Sequence, residues 1–245
     1  MSRLTPVLKL NTVNRSAGVW MVVGVITVSG LLSLLAGVVL HVVLGAPLGA
    51  VAEGLRYNQV LLWWPGIALL VHAAQVIGTS TPLALAMGAT RRSMWWGSVL
   101  TFVLHALLAA AVLTVFLLLE RATGGWFLGL PAFDVHLFAG GSPAWALLVA
   151  FLVYLGAQLV GAVFATVYVR GGPVALTLSI IGTVVTTLAV LVWAAATGAG
   201  SAAAVGAGSA GVPAGLVLLA AAAPVLLALL GWGLYRRVSD RKSVV

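Results

Sequence analysis

Few side chains in this chain can do chemistry, and the apolar runs isolate those that can. His72 and Gln75, three residues apart, share one helical face, and His105 lies at a comparable depth in the next apolar run. Tyr154 and Gln158 follow in another run, and Ser179, Thr183 and Thr187 repeat every four residues beyond them. These groups offer hydrogen-bond donors and acceptors, which can line a polar substrate path or join one helix to another. Hydrogen bonds of the second kind average about 0.6 kcal/mol in membrane proteins. Two imidazoles with no third ligand make a poor metal centre. Of four acidic residues none lies inside an apolar run, so a carboxylate relay for protons or sodium has no material. The absence of cysteine excludes disulfides, thiolate metal sites and thiol nucleophiles. The only lysines, Lys9 and Lys242, follow no Walker-type glycines, so this chain has no P-loop. The run Gly206-Ala207-Gly208-Ser209-Ala210-Gly211 has dinucleotide-fingerprint spacing but lacks the strand before it and the acidic residue after it.

The elements that position these residues are membrane spans. Of 245 residues 62% are hydrophobic and 7% charged, where a soluble domain keeps roughly 25% charged. A bilayer core takes about 20 apolar helical residues to cross, and six runs qualify, at 18–42, 60–78, 98–119, 144–168, 174–196 and 213–234. They are continuous rather than alternating, which favours helices over barrel strands. The expectation is an all-α integral membrane protein with an amphipathic N-terminal segment at 1–17, a six-helix domain at 18–235 and a basic tail at 236–245. The first run exceeds a signal-peptide core and has no cleavage pattern after it, so it counts as a span.

Lysine and arginine set the orientation. With both termini cytoplasmic, Arg3, Lys9, Arg15, Arg91, Arg92, Arg170, Arg236, Arg237, Arg241 and Lys242 lie inside, against Arg56 and Arg121 outside. The net charge of +8 is therefore a topology signal, and the tail reads as a membrane-surface anchor rather than a nucleic-acid site. In 1–17, Leu4, Val7 and Leu8 share a face, as in a helix lying on the bilayer surface. Glu53 and Arg56 are spaced to pair in the first outer loop, and the aromatic second loop, 120–143, lies against the membrane. Ala157 with Gly161, and Gly182 beside the hydroxyl stripe, make small faces for helix packing or dimerisation. Pro224 kinks the sixth run. The Ala, Gly and Val bias fits a GC-rich bacterial source and a bacterial cell-membrane location.

Between the second and third runs lies the segment with the densest local signals. Ser80 or Thr81 caps a short helix starting at Pro82, Gly88 ends it after about two turns, and Thr90 caps the next helix. Leu83, Leu85 and Met87 then face lipid or a partner groove, Arg91 and Arg92 meet phosphates or acidic residues, and Trp95 and Trp96 fix the depth of the third span. A plain basic loop explains the arginines but not the capped apolar turns before them.

This segment, through Pro82, Gly88, Thr90, Arg91, Arg92, Trp95, Trp96 and Gly97, resembles one between spans two and three of bacterial ATP-binding-cassette exporter membrane subunits of the ABC type 2 permease family. The opening Leu8-Lys9-Leu10-Asn11-Thr12-Val13-Asn14-Arg15 is similar to their amphipathic N-terminal helix. The resemblance implies a cytoplasmic coupling helix, Pro82 to Arg92, docked on a separate ABC ATPase subunit that holds ATP and Mg. It implies a second membrane subunit, identical or different, and no enzyme activity or cofactor in this chain. The modest outer loops favour a small amphiphilic cargo, such as a drug, lipid or peptide. The alternative class is a scaffold or immunity-type membrane module that works without an ATPase.

Overall fold

The computed structural model describes residues 15–58, 60–136, 142–196 and 226–236. All regular structure among them is helical. Helix α1, Arg15–Val38, continues into a π-helical turn, Val39–Val43. Gly45, at φ 69°, and Pro47 turn the chain into the short amphipathic α2, Leu48–Arg56. Helices α3, Val60–Ala86, and α4, Arg91–Ala122, follow. After a second π turn, Gly125–Gly129, α5 runs Pro143–Ala196, and α6 is Leu226–Tyr235.

Four segments are long and apolar enough to cross a membrane: Val19–Val43, Leu48–Ala86, Arg91–Ala122 and Pro143–Thr183. The expected runs 144–168 and 174–196 fall on two arms of α5, which leaves helical geometry at Gly172 (φ 72°, ψ −169°). Pro173 causes this break, because a residue before proline is pushed out of the α region and glycine alone accepts a positive φ cheaply. Of the expected run 213–234, residues 226–234 lie in α6; the rest, with Pro224, lies outside the described residues. So do residues 1–14, the loop 197–211 and the tail beyond Arg236.

The core lies where α5 packs on α3 and α4, with α1 closing the other side. Ile77, Trp95, Phe102, Leu113, Tyr154 and Leu159 fill it. Ala157 and Gly161 serve packing within the chain: Ala157 meets Gly66, and a Cβ at Gly161 would run into the Leu70 backbone carbonyl. Such close approach is what small residues permit between membrane helices.

Candidate functional site

At one end of the bundle the chain turns from α3 into α4. The expected separate helix from Pro82 does not form; α3 continues through Pro65 and Pro82 to Ala86, so neither Ser80 nor Thr81 acts as a cap. Thr81 and Ala84, on either side of Pro82, are both buried, and that packing holds the helix together where proline removes one backbone bond, as neighbouring helices do for prolines in membranes. Gly88 ends the helix as expected. At φ 82° it occupies the left-handed position, its N–H donates to the Leu85 carbonyl at 3.0 Å, and Ala89 N–H donates to the Ala84 carbonyl at 2.9 Å. This is the paired bonding of a glycine-terminated helix. Thr90 then caps α4, its Oγ1 accepting from Ser93 N–H at 3.2 Å.

Around this elbow Pro82, Leu83, Met87, Gly88, Thr90 and Arg92 are exposed, whereas Leu85 and Arg91 are half-buried. Trp95 differs from expectation. It is fully buried rather than interfacial, and its ring lies 5.4 Å from that of Tyr235. The Tyr235 hydroxyl donates to Thr81 Oγ1 at 3.2 Å. Helix α6 thereby braces the elbow and brings Arg236 to the same end as Arg91 and Arg92.

The intramembrane polar residues divide into four groups. His72 and His105 do meet, with ring centroids 5.0 Å apart and edge-on geometry, and His72 Nε2 and His105 Nδ1 are buried without a hydrogen-bond partner among the described residues. Gln75 is exposed on α3, away from that pair's contact. Tyr154 and Gln158 act between helices: the Tyr154 hydroxyl donates to the Leu61 carbonyl at 2.7 Å, and Gln158 Nε2 donates to the Phe102 carbonyl at 3.1 Å. Gln158 Oε1 stays buried and unpartnered. Ser179 and Thr183 bond back to their own helix, to Leu176 and Ser179 carbonyls. The Thr187 side chain lies outside the described residues. Among the described residues no group of three His, Asp or Glu side chains gathers to hold a metal ion.

The opposite end holds a site that sequence reasoning left in a loop. Glu120, in the last turn of α4, is 2% exposed. Its Oε2 accepts from Trp126 Nε1 at 2.7 Å and from the Ala132 and Phe133 N–H groups at 2.7 and 2.8 Å; its Oε1 accepts from Asp134 N–H at 2.8 Å. One carboxylate thus folds the whole 123–134 loop back into the bundle. Phe133 seats over Gly30, and Leu130 over Gly37. Trp126 and Phe127 take left-handed φ of 56° and 61°, a strained conformation for bulky residues. Thr123 Oγ1 steadies it, accepting from Trp126 N–H at 3.0 Å. Glu53 pairs with His136 at 3.0 Å rather than with Arg56, and Arg121 pairs with Asp134 at 2.7 Å. The Glu53–His136 contact ties the first loop to the second, and the Arg121–Asp134 pair lies within the second. The available signal was a lone acid ending Leu117-Leu118-Leu119 just before Gly124-Gly125, a pair free to take positive φ.

Compared with protein-family models, with curated proteins and with solved structures, the chain matches none.

Proposed function

We propose that this chain is the membrane subunit of an ATP-driven ABC exporter in a bacterial cell membrane. In this reading it has six spans and cytoplasmic termini, and a separate ATPase subunit holds ATP and Mg. The observation that carries the reading is the elbow. Arg91 and Arg92 occupy the first turn of α4, where the helix dipole is positive and a cation is unfavourable. The helix dipole therefore does not explain their place there. Beside them stand Leu83 and Met87, 52% and 62% exposed, so an apolar ridge and basic groups share one surface. A partner with an apolar groove rimmed by acids fits that surface, as a coupling contact on an ATPase would.

The resemblance of Pro82 to Gly97 to the segment in ABC type 2 permeases supports the same reading. In it, the cargo is a small amphiphile, a second membrane subunit completes the transporter, and the candidate path residues are His72, Gln75, His105, Tyr154 and Gln158, with the hydroxyls of Ser179, Thr183 and Thr187. Purification from native membranes in mild detergent, followed by mass spectrometry, tests it. A stoichiometric soluble subunit with Walker motifs is the expected result. A clean preparation after gentle cross-linking sinks the exporter reading and favours the scaffold or immunity-type module. In the complex, Arg91→Glu with Arg92→Glu is expected to uncouple ATP hydrolysis from transport while the protein still inserts.

A further inference from the structure

An amide without a partner and a carbonyl deprived of its helical donor lie along one exposed stripe of α3. The stripe runs through Trp64, Ile67, Val71, Gln75 and Thr79. Gln75 sits near the middle of the helix, where the bilayer is driest, and its amide bonds to no described residue. A turn further on, Pro82 has no N–H to give to the Gly78 carbonyl. No described side chain donates to that carbonyl, and the space above Gly78 is open. An amide facing hydrocarbon and a carbonyl that proline deprives of its helical donor are each costly, so a polar partner is expected there.

We infer that this face of α3 is the contact seam with a second copy of the same chain, joined by the Gln75 amide. Two copies inserted with the same orientation are related by a twofold axis along the membrane normal, so each residue meets its own counterpart at its own depth. Glutamine suits such an axis because one amide both donates and accepts. Its NH2 has two acceptors within one turn of the facing helix, the same amide oxygen and the same Gly78 carbonyl. Gly78 presents no side chain to hold the helices apart, as small residues do at other membrane helix contacts. The inference deepens the second-subunit part of the reading above, but it rests only on immersion in a membrane and needs no ATPase.

The chain contains no cysteine, so single cysteines report cleanly. Val71→Cys, which keeps the Gln75 amide, is expected when oxidised in native membranes to give a band at twice 25.0 kDa, since a disulfide needs Cα atoms within about 7 Å. Thr79→Cys should cross-link too, and Leu104→Cys, 51% exposed on α4, should not. In a Val71→Cys background, Gln75→Leu is expected to lower the dimer yield about threefold to tenfold, as loss of an interhelical polar contact does. Cross-links at 71 and 79 no stronger than at 104, or a yield untouched by Gln75→Leu, overturn the proposal. A dimer band without any co-purifying ATPase keeps this seam and removes only the transport reading.

Discussion

Pro65 and Pro82 interrupt the same helix, and each leaves the carbonyl four residues earlier without its backbone donor. At Leu61 the Tyr154 hydroxyl takes the missing place, 2.7 Å away and fully buried. At Gly78 no described side chain does so. The difference extends to whole regions. Around Pro65 the helices touch through Gly66 and Gly161, and the neighbouring loop is gathered by Glu120. Around Pro82 lie exposed Gln75, Leu83, Met87 and Arg92. A defect answered by a buried side chain at one end, and by no described side chain at the other, points to the second end as the one that meets something else.

The largest expected effect tests the closed region. Glu120→Gln keeps the volume but replaces one acceptor oxygen with an NH2 that faces N–H donors, so it should cost about 3 kcal/mol or more, the cost of stranding buried donors. Denaturant titration in detergent measures it, and protease cutting within 123–134 should rise in parallel. Unchanged stability would mean that the loop is not held by this carboxylate. Next comes Gly161→Leu, which drives a side chain into the Leu70 backbone and should cost about 2 to 3 kcal/mol by overpacking. Little change there would mean that α3 and α5 are less tightly joined than their contact implies.

The sequence made one of these regions far more legible than the other. The first four apolar runs fall on the four helices long and apolar enough to cross a membrane, because hydrocarbon enforces continuous apolar length, and Gly88 and Thr90 marked the end of α3 and the start of α4 through local backbone chemistry that needs no tertiary contact. Pro82 misled for the converse reason: burial of Thr81 and Ala84 decides that the helix continues, and burial is not local. Glu120 was hidden in the same way. Its partners lie 6 to 14 residues away in a loop, and no periodic pattern joins them. Tyr154 and Gln158 were recognisable as polar groups in a span, but their roles as interhelical donors depend on which carbonyls α3 and α4 present to them.

The comparison between the prolines becomes quantitative in a double-mutant cycle. Tyr154→Phe should cost about 1.5 kcal/mol, because it strands the Leu61 carbonyl in the core. In a Pro65→Ala background the same substitution should cost much less, since alanine returns the N–H that the helix lacked. The coupling energy of the cycle isolates this relation. Equal costs in both backgrounds would show that the Tyr154 hydroxyl does not stand in for the missing donor.

Pro82→Ala is the smallest and most discriminating change, because at Gly78 no described side chain takes the place of the missing donor. Alanine at 82 supplies the absent N–H, so the monomer should gain about 1 kcal/mol, one net hydrogen bond. Pro65→Ala alone should gain less, because its carbonyl is already satisfied. The same Pro82→Ala change should weaken cross-linking at Val71→Cys, where the Gln75 amide is kept, because a carbonyl bonded within its own helix is a poorer acceptor for a facing amide. The two measurements pull in opposite directions, and this separates the seam from a simple effect of helix stiffness. A stiffer helix with an unchanged seam would raise monomer stability and leave the cross-link where it was. If Pro82→Ala instead destabilises the monomer, the bend at Pro82 is itself part of how Thr81 and Ala84 pack, and the two prolines are not equivalent defects after all.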